Sequence, residues 1–81
     1  MTIKIPNIKP SKRYLGVDVG QTYRINTNKG LGLTIHSFPN GTLVKVISGP
    51  DDSDFECKEI VPENKIARIQ WVHYPDLEAT Q

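Results

Sequence analysis

The side chains that could take part in covalent or metal chemistry are two histidines and a single cysteine. His36 and His73 stand far apart, and neither has a carboxylate or thiol at the spacing of a metal-binding motif. Cys57 falls in a predicted strand with no base marked beside it, which is typical of a small buried hydrophobe. The sequence contains no phosphate-cradling loop and no nucleophile elbow. We therefore predict no catalytic site, no metal and no cofactor.

Three aspartates lie close together in the second half of the chain. Asp51, Asp52 and Asp54 are not accompanied by the glycine and the distal glutamate of a calcium-binding loop. The pattern favours a solvated polar loop over residues 49–54. The alternative is an acidic rim that contacts a basic partner.

Charge is distributed unevenly along a chain whose formal net charge is +1. Residues 1–45 carry seven lysines and arginines against one aspartate, and residues 46–81 carry three against eight acidic residues. A basic first half with interleaved tyrosines could bind phosphates while a ring stacks on a base. The alternative is a solvated basic arm. The candidate phosphate contacts are Lys9, Lys12, Arg13, Arg24 and Lys29.

The elements that would position these side chains are short strands separated by turns, because no stretch sustains a helical period. They are predicted over residues 20–26, 42–48, 55–61 and 66–72. In the second of them, Val44 and Val46 are expected to point inward, since Lys45 occupies the opposite face. The Asn-Gly pair just before that strand predicts a tight turn. Residues 31–35 predict an irregular hairpin arm.

This pattern predicts one all-β domain, a small barrel or a sandwich. Prolines at positions 6 and 10 favour extended backbone, so we predict a basic N-terminal arm over residues 1–14. The barrel is then predicted over residues 15–78 and a tail over residues 79–81. No apolar run resembles a secretory signal or approaches the ~20 residues of a membrane span. A cytoplasmic protein with no membrane contact is therefore expected.

Two short motifs resemble the SH3-like barrel superfamily, in particular its bacterial branch. The first is Phe-Pro-Asn-Gly-Thr at residues 38–42, followed by Val44 and Val46; the second is Trp-Val-His at residues 71–73, with Leu77 four residues on. The resemblance implies a five-stranded barrel with a long first loop, a distal hairpin near residues 62–65 and a 3-10 turn before the last strand. Members that bind proline-rich peptides carry a tryptophan where this chain has Phe55, so a proline-peptide groove is not expected.

Residues 41–50 also resemble the Kyrpides–Ouzounis–Woese (KOW) motif of ribosomal proteins and transcription elongation factors. That resemblance implies binding to RNA, ribosomes or RNA polymerase. It keeps a nucleic-acid-binding module, using the basic half of the chain, as the alternative function.

The leading hypothesis is a non-enzymatic protein-binding module that acts as a small regulator or inhibitor, for instance one encoded by a phage. Aromatic side chains would contact the partner and the acidic loop would form the rim. The predicted partner-binding residues are Tyr23, Phe55, Trp71, Tyr74, Asp51, Asp52 and Asp54. Whether Trp71 belongs to the core or to the binding surface is left open. Exposed strand edges also leave homodimerisation open.

Overall fold

The computed structural model describes residues 13–14, 16–27 and 34–80, and it is built from two antiparallel sheets. The smaller sheet pairs β1 (Arg13–Tyr14) with β2 (Val17–Asp18). The larger sheet has five strands. These are β3 (Thr22–Ile25), β4 (Leu43–Asp51), β5 (Asp54–Glu59), β6 (Ile69–His73) and β7 (Leu77–Ala79). The all-β prediction is confirmed.

The core is formed by alternate side chains of the larger sheet, as the period of two residues dictates. Val44 and Val46 of β4 are fully buried, which confirms the inward orientation predicted for them. Phe55 and Cys57 of β5 face them across the register, and Val72 of β6 extends the same layer. Other buried apolar side chains are Val17, Tyr23, Ile25 and Phe38.

The strand order of the larger sheet is β6-β5-β4-β3-β7, so β6 and β7 form its two edges. In a flat sheet, four strand spacings would separate these edges by about 19 Å. A 3-10 turn of only three residues, Tyr74–Asp76, nevertheless joins them. Such a turn rises about 2 Å per residue, so the sheet must curl strongly to bring its two edges together.

The turn before β4 forms as the sequence predicts. The Thr42 N–H donates to the Pro39 carbonyl over 3.1 Å, and Gly41 has a φ of 93°. Positive φ at the third position of such a turn favours glycine, because a side chain there is strained.

The connection between β4 and β5 is tighter than the predicted polar loop over residues 49–54. β4 continues to Asp51, which pairs with Asp54, so only Asp52 and Ser53 lie between the strands. Both have positive φ, 58° and 78°. Two-residue hairpin turns need this conformation, and aspartate tolerates it because its short side chain can hydrogen-bond locally.

Other boundaries also differ from the sequence expectations. β6 begins at Ile69 rather than at residue 66, and Ile66 is 93% exposed. β7 extends to Ala79, where a tail was predicted to begin. Residues 1–12 of the predicted arm and residues 31–33 of the predicted hairpin arm lie outside the described residues. In the described part of the chain, no helix is long and apolar enough to cross a bilayer.

Candidate partner-binding surface

The side chains of β4, β5 and β6 that point away from the core form what we call the outer face. Cross-strand pairs assign its members: Lys45 opposes Lys58, Lys58 opposes Ile69, and Glu56 opposes Trp71. Leu43 and Ile47 join them because they alternate with the buried valines of β4. The outer face therefore mixes three charged side chains with four large apolar ones.

Three of the apolar side chains are exposed on this part of the outer face: Ile47 on β4, and Ile69 and Trp71 on the edge strand β6. Ile47 and Trp71 are each 38% exposed and Ile69 is 50% exposed. A register shift between Val46 and Ser48 places Ile47 beside Glu56, so that Ile47 and Trp71 flank this glutamate on the two neighbouring strands. Aromatic and aliphatic groups exposed together on a sheet are typical of a protein-binding patch.

Glu56 is held in place within this cluster. The Ser48 hydroxyl donates to its Oε1 over 2.7 Å, from the residue opposite it on β4. The carboxylate is therefore oriented along the sheet, where the aliphatic part of its side chain can lie between Ile47 and Trp71.

Tyr23 and Phe55, two of the four predicted partner-binding aromatics, belong to the core. Phe55 has no exposed surface, and Tyr23 is buried with its hydroxyl accepting the Asp18 N–H over 2.7 Å. Both occupy inward positions of their strands, so neither can contact a partner in the folded protein. Trp71 instead points outward and is 38% exposed, so it does not belong to the core. Tyr74 is partly buried against the core cluster.

The three aspartates do not form a single exposed acidic loop. Asp51 and Asp52 are exposed at the β4–β5 turn. Asp54 begins β5, where its Oδ1 lies 3.0 Å from Nδ1 of His73 on β6. The Asp54 carboxylate is thus partnered within the protein, and only the other two are available as an acidic rim.

Most of the candidate phosphate contacts lie outside the residues that the structure describes. Lys9, Lys12 and Lys29 lie outside the described residues, and for Arg13 only its place in β1 is defined. Arg24 is exposed on β3, opposite Leu43 on one side and Glu78 on the other. Phosphate binding by these five basic residues therefore remains a prediction.

A buried histidine–aspartate pair was not anticipated from the sequence. His36 Nε2 lies 3.0 Å from Asp76 Oδ2, with the two side chains 0% and 2% exposed. Nδ1 of the same ring accepts the Phe38 N–H over 3.0 Å, so we assign the proton to Nε2, which donates to the carboxylate. Both ring nitrogens are occupied, and the ring cannot act as a base toward a bound substrate. The residues are 40 positions apart, and no sequence motif links them.

The segment before β4 that carries His36 also contacts the edge strand β6. Gln70 accepts the Ser37 N–H over 2.7 Å and donates through Nε2 to the Ser37 hydroxyl over 3.0 Å. One residue further, the Phe38 ring lies 5.1 Å from the Arg68 guanidinium. Arg68 also makes a two-pronged ion pair with Glu59, and its hydrogen bonds lower the pKa of that carboxyl. These contacts cover part of the β6 edge.

Cys57 is an unreactive thiol in this environment. Burial raises its pKa to about 12, and the nearby charge of Glu56 adds to the effect. Because a thiolate is required for nucleophilic attack or metal binding, the protonated thiol does neither. Among the described residues, no three histidine, cysteine or carboxylate side chains converge to hold a metal ion.

Comparisons with protein-family models, with curated proteins and with solved structures find no match. The functional argument therefore depends on the geometry. That geometry offers exposed apolar side chains interspersed with charged ones on a single sheet face, while the buried pair His36 and Asp76 and the buried Cys57 thiol are already paired or protonated.

Proposed function

We propose that this chain is a non-enzymatic protein-binding module whose outer face contacts a protein partner. The observation that carries the proposal is the exposure of Ile47, Ile69 and Trp71 on the same face of the sheet, where Ile47 and Trp71 lie on either side of Glu56. Tryptophan supplies a large contact area at a low cost in side-chain entropy, and it is enriched among residues that dominate binding energy. Asp51 and Asp52, at the β4–β5 turn, form a polar rim.

We further propose that the architecture is an SH3-like barrel. The strand order β6-β5-β4-β3-β7 supports it, with a long connection between the first two strands of the sheet. A 3-10 turn before the last strand and a tight Gly41 turn before β4 support it too. The proposed setting is the cytoplasm, which suits a buried, unpaired Cys57.

The groove of SH3 domains that bind proline-rich peptides does not fit this chain. Phe55 stands near the position of the groove tryptophan, and it is fully buried. The proposed surface lies instead on the outside of the three-stranded ribbon β4–β6. A small regulator or inhibitor that covers a site on a larger protein is the role we propose for it.

The test is differential capture with three tagged baits from a lysate of the source organism. The baits are the wild type, the Trp71→Thr variant and the Ile35→Thr variant. Ile35 is 56% exposed and lies outside the outer face, so its substitution removes a comparable exposed side chain and serves as the control.

We expect a protein that the wild type and the Ile35→Thr bait retain and the Trp71→Thr bait loses. Equal recovery on all three baits would contradict the proposed surface. Material that disappears after nuclease treatment would instead favour the KOW-like alternative, binding to nucleic acid.

A further inference from the structure

A groove of about 340 Å³ lies beside the outer face, between strands β4 and β5 and the segment that connects β5 to β6. We call it the basic groove. Three lysines line it: Lys45 of β4, Lys58 of β5 and Lys65 of the connecting segment. Its apolar lining is Ile60, Val61, Pro62 and Ala67.

Lys45 and Lys58 are directly opposite each other in the β4–β5 register. Like charges at such a position destabilise a sheet, since the two side chains lie side by side. The side-chain ammonium group of neither lysine makes a hydrogen bond or ion pair with any residue in the described ranges. The fold therefore holds two cations together without neutralising them.

The carboxylates around the groove do not remove this charge. Glu59 lines it, but its oxygens accept two hydrogen bonds from the Arg68 guanidinium, which neutralises it. Glu63 is then the one other acidic residue among the described residues of the lining, and it carries a single negative charge beside the three lysines. The groove consequently carries an excess of positive charge next to exposed apolar surface, Ile60 being 48% exposed.

We propose that the basic groove binds an acidic segment of the protein partner, an inference that rests on the proposed function and names the chemistry of the partner. A carboxylate of that segment pairs with Lys45 and Lys58, and a neighbouring aliphatic side chain packs on Ile60 and Pro62. The groove adjoins Ile69, which opposes Lys58, so one partner can cover both the groove and the outer face.

Charge complementarity favours an acidic peptide over a nucleic acid. A nucleic-acid backbone presents phosphates continuously. Glu56 lies two residues before Lys58 on the same face of β5, and Glu63 lines the groove, so phosphates that extend past the lysines would meet carboxylates. A peptide can place a single carboxylate on the lysines and an apolar group on the floor.

The test is a titration of the ¹⁵N-labelled full chain followed by amide chemical shifts. The probes are the peptide acetyl-Glu-Leu-Glu-Glu-Leu-amide, the same peptide with glutamine in place of each glutamate, and single-stranded oligothymidine. We expect the acidic peptide at millimolar concentration to shift the amides of Lys58, Ile60 and Lys65, and the glutamine peptide to leave them unchanged.

Substitutions provide the second measurement. Lys58→Gln should weaken binding of the acidic peptide roughly two- to fivefold, the range expected for one exposed ion pair. Arg24→Gln removes a cation outside the groove and should leave the affinity unchanged. Added salt should weaken binding in the wild type more than in Lys58→Gln.

Three results would overturn the inference. These are an absence of shifts at the groove with the acidic peptide, equal binding of the glutamine peptide, and tighter binding of oligothymidine at the same amides. None of these results tests the role of Trp71 on the outer face. Failure of that proposal would appear separately, as equal capture by the wild-type and Trp71→Thr baits.

Discussion

His36 and Asp76 join the loop before β4 to the 3-10 turn before β7 through a 3.0 Å hydrogen bond that is shielded from solvent. The contact lies where the two edges of the curled sheet approach each other. It is supported by the backbone bond from the Asn26 N–H to the Asp76 carbonyl, 2.9 Å long. The fold is therefore stabilised at this point by polar contacts inside an apolar core.

Removing the imidazole should be costly, since it leaves a buried carboxylate without its donor. We expect His36→Ala to lower the free energy of unfolding by about 3–5 kcal/mol, measured by urea denaturation. Asp76→Asn keeps an oxygen that can accept from Nε2, and it should cost about 1–3 kcal/mol. Equal losses in the two variants would contradict the view that the buried Asp76 carboxylate depends on the hydrogen bond from Nε2 of His36.

Gly49 and Gly41 share a positive φ but differ in how closely other atoms surround them, so alanine substitutions at the two positions can be compared. Both have positive φ, 123° and 93°, which strains any side chain. A Cβ at Gly41 meets no atom within 4 Å, whereas one at Gly49 would lie 2.9 Å from the Phe55 ring and 3.0 Å from two backbone atoms. We expect Gly41→Ala to cost about 1–3 kcal/mol and Gly49→Ala distinctly more. Thermal denaturation of the two variants tests this, and equal losses would contradict the close packing at Gly49.

The Glu59–Arg68 ion pair should make stability depend on pH in the acid range. The pKa of Glu59 is lowered below its ordinary value of 4.5, chiefly by hydrogen bonds from Arg68. Its contribution is therefore present above pH 4.5 and is lost as the pH falls through the lowered value. The difference in urea midpoint between the wild type and Glu59→Gln should be constant above that pH and shrink below it. A difference that grows in acid would contradict the pairing.

Cys57 should react with thiol reagents only when the protein opens. Its pKa of about 12, raised by burial from 9.0, keeps the thiol protonated at neutral pH. The folded state retains the proton more tightly than the unfolded state, so this contribution to stability is present below pH 9 and is lost as the pH rises toward 12. Labelling by iodoacetamide at pH 8 should follow the unfolding equilibrium as urea is added. Rapid labelling without urea would show that Cys57 is accessible.

The parts of the fold set by local pattern were predictable from the sequence. Alternation placed Val44 and Val46 in the core, and the Asn-Gly pair marked the turn at Gly41. Local pattern also gave the order of the strands along the chain, although it overstated the loop after β4. That strand stays paired to Asp51 because residues 52 and 53 adopt the positive φ of a tight turn.

The contacts between distant segments were not predictable. Nothing near His36 points to Asp76, and nothing near Ser37 points to Gln70, because each pair is brought together only when the sheet curls. Gln70 in particular carries no local signal of its role, which is to hold the loop before β4 against β6.

The candidate site was predicted only in part, since residue type does not reveal which side of a strand faces outward. Trp71 lies on the surface, whereas Phe55 and Tyr23 lie in the core, although all three are aromatic residues of strands. Ile47 was expected on the face opposite the inward valines, but neither Ile47 nor Ile69 was among the predicted partner-binding residues, because a single exposed aliphatic side chain is ordinary on a protein surface.

The central claim is that Trp71 serves binding rather than folding, and Phe55→Ala supplies the reference for a core aromatic. Trp71→Thr should lower the affinity for the captured partner about thirtyfold, the effect of a dominant contact residue. It should lower the free energy of unfolding by only about 1–2 kcal/mol, against about 3–5 kcal/mol for Phe55→Ala. Isothermal titration calorimetry of the folded Trp71→Thr variant is the decisive measurement. An unchanged affinity would contradict the claim, as would a stability loss equal to that of Phe55→Ala.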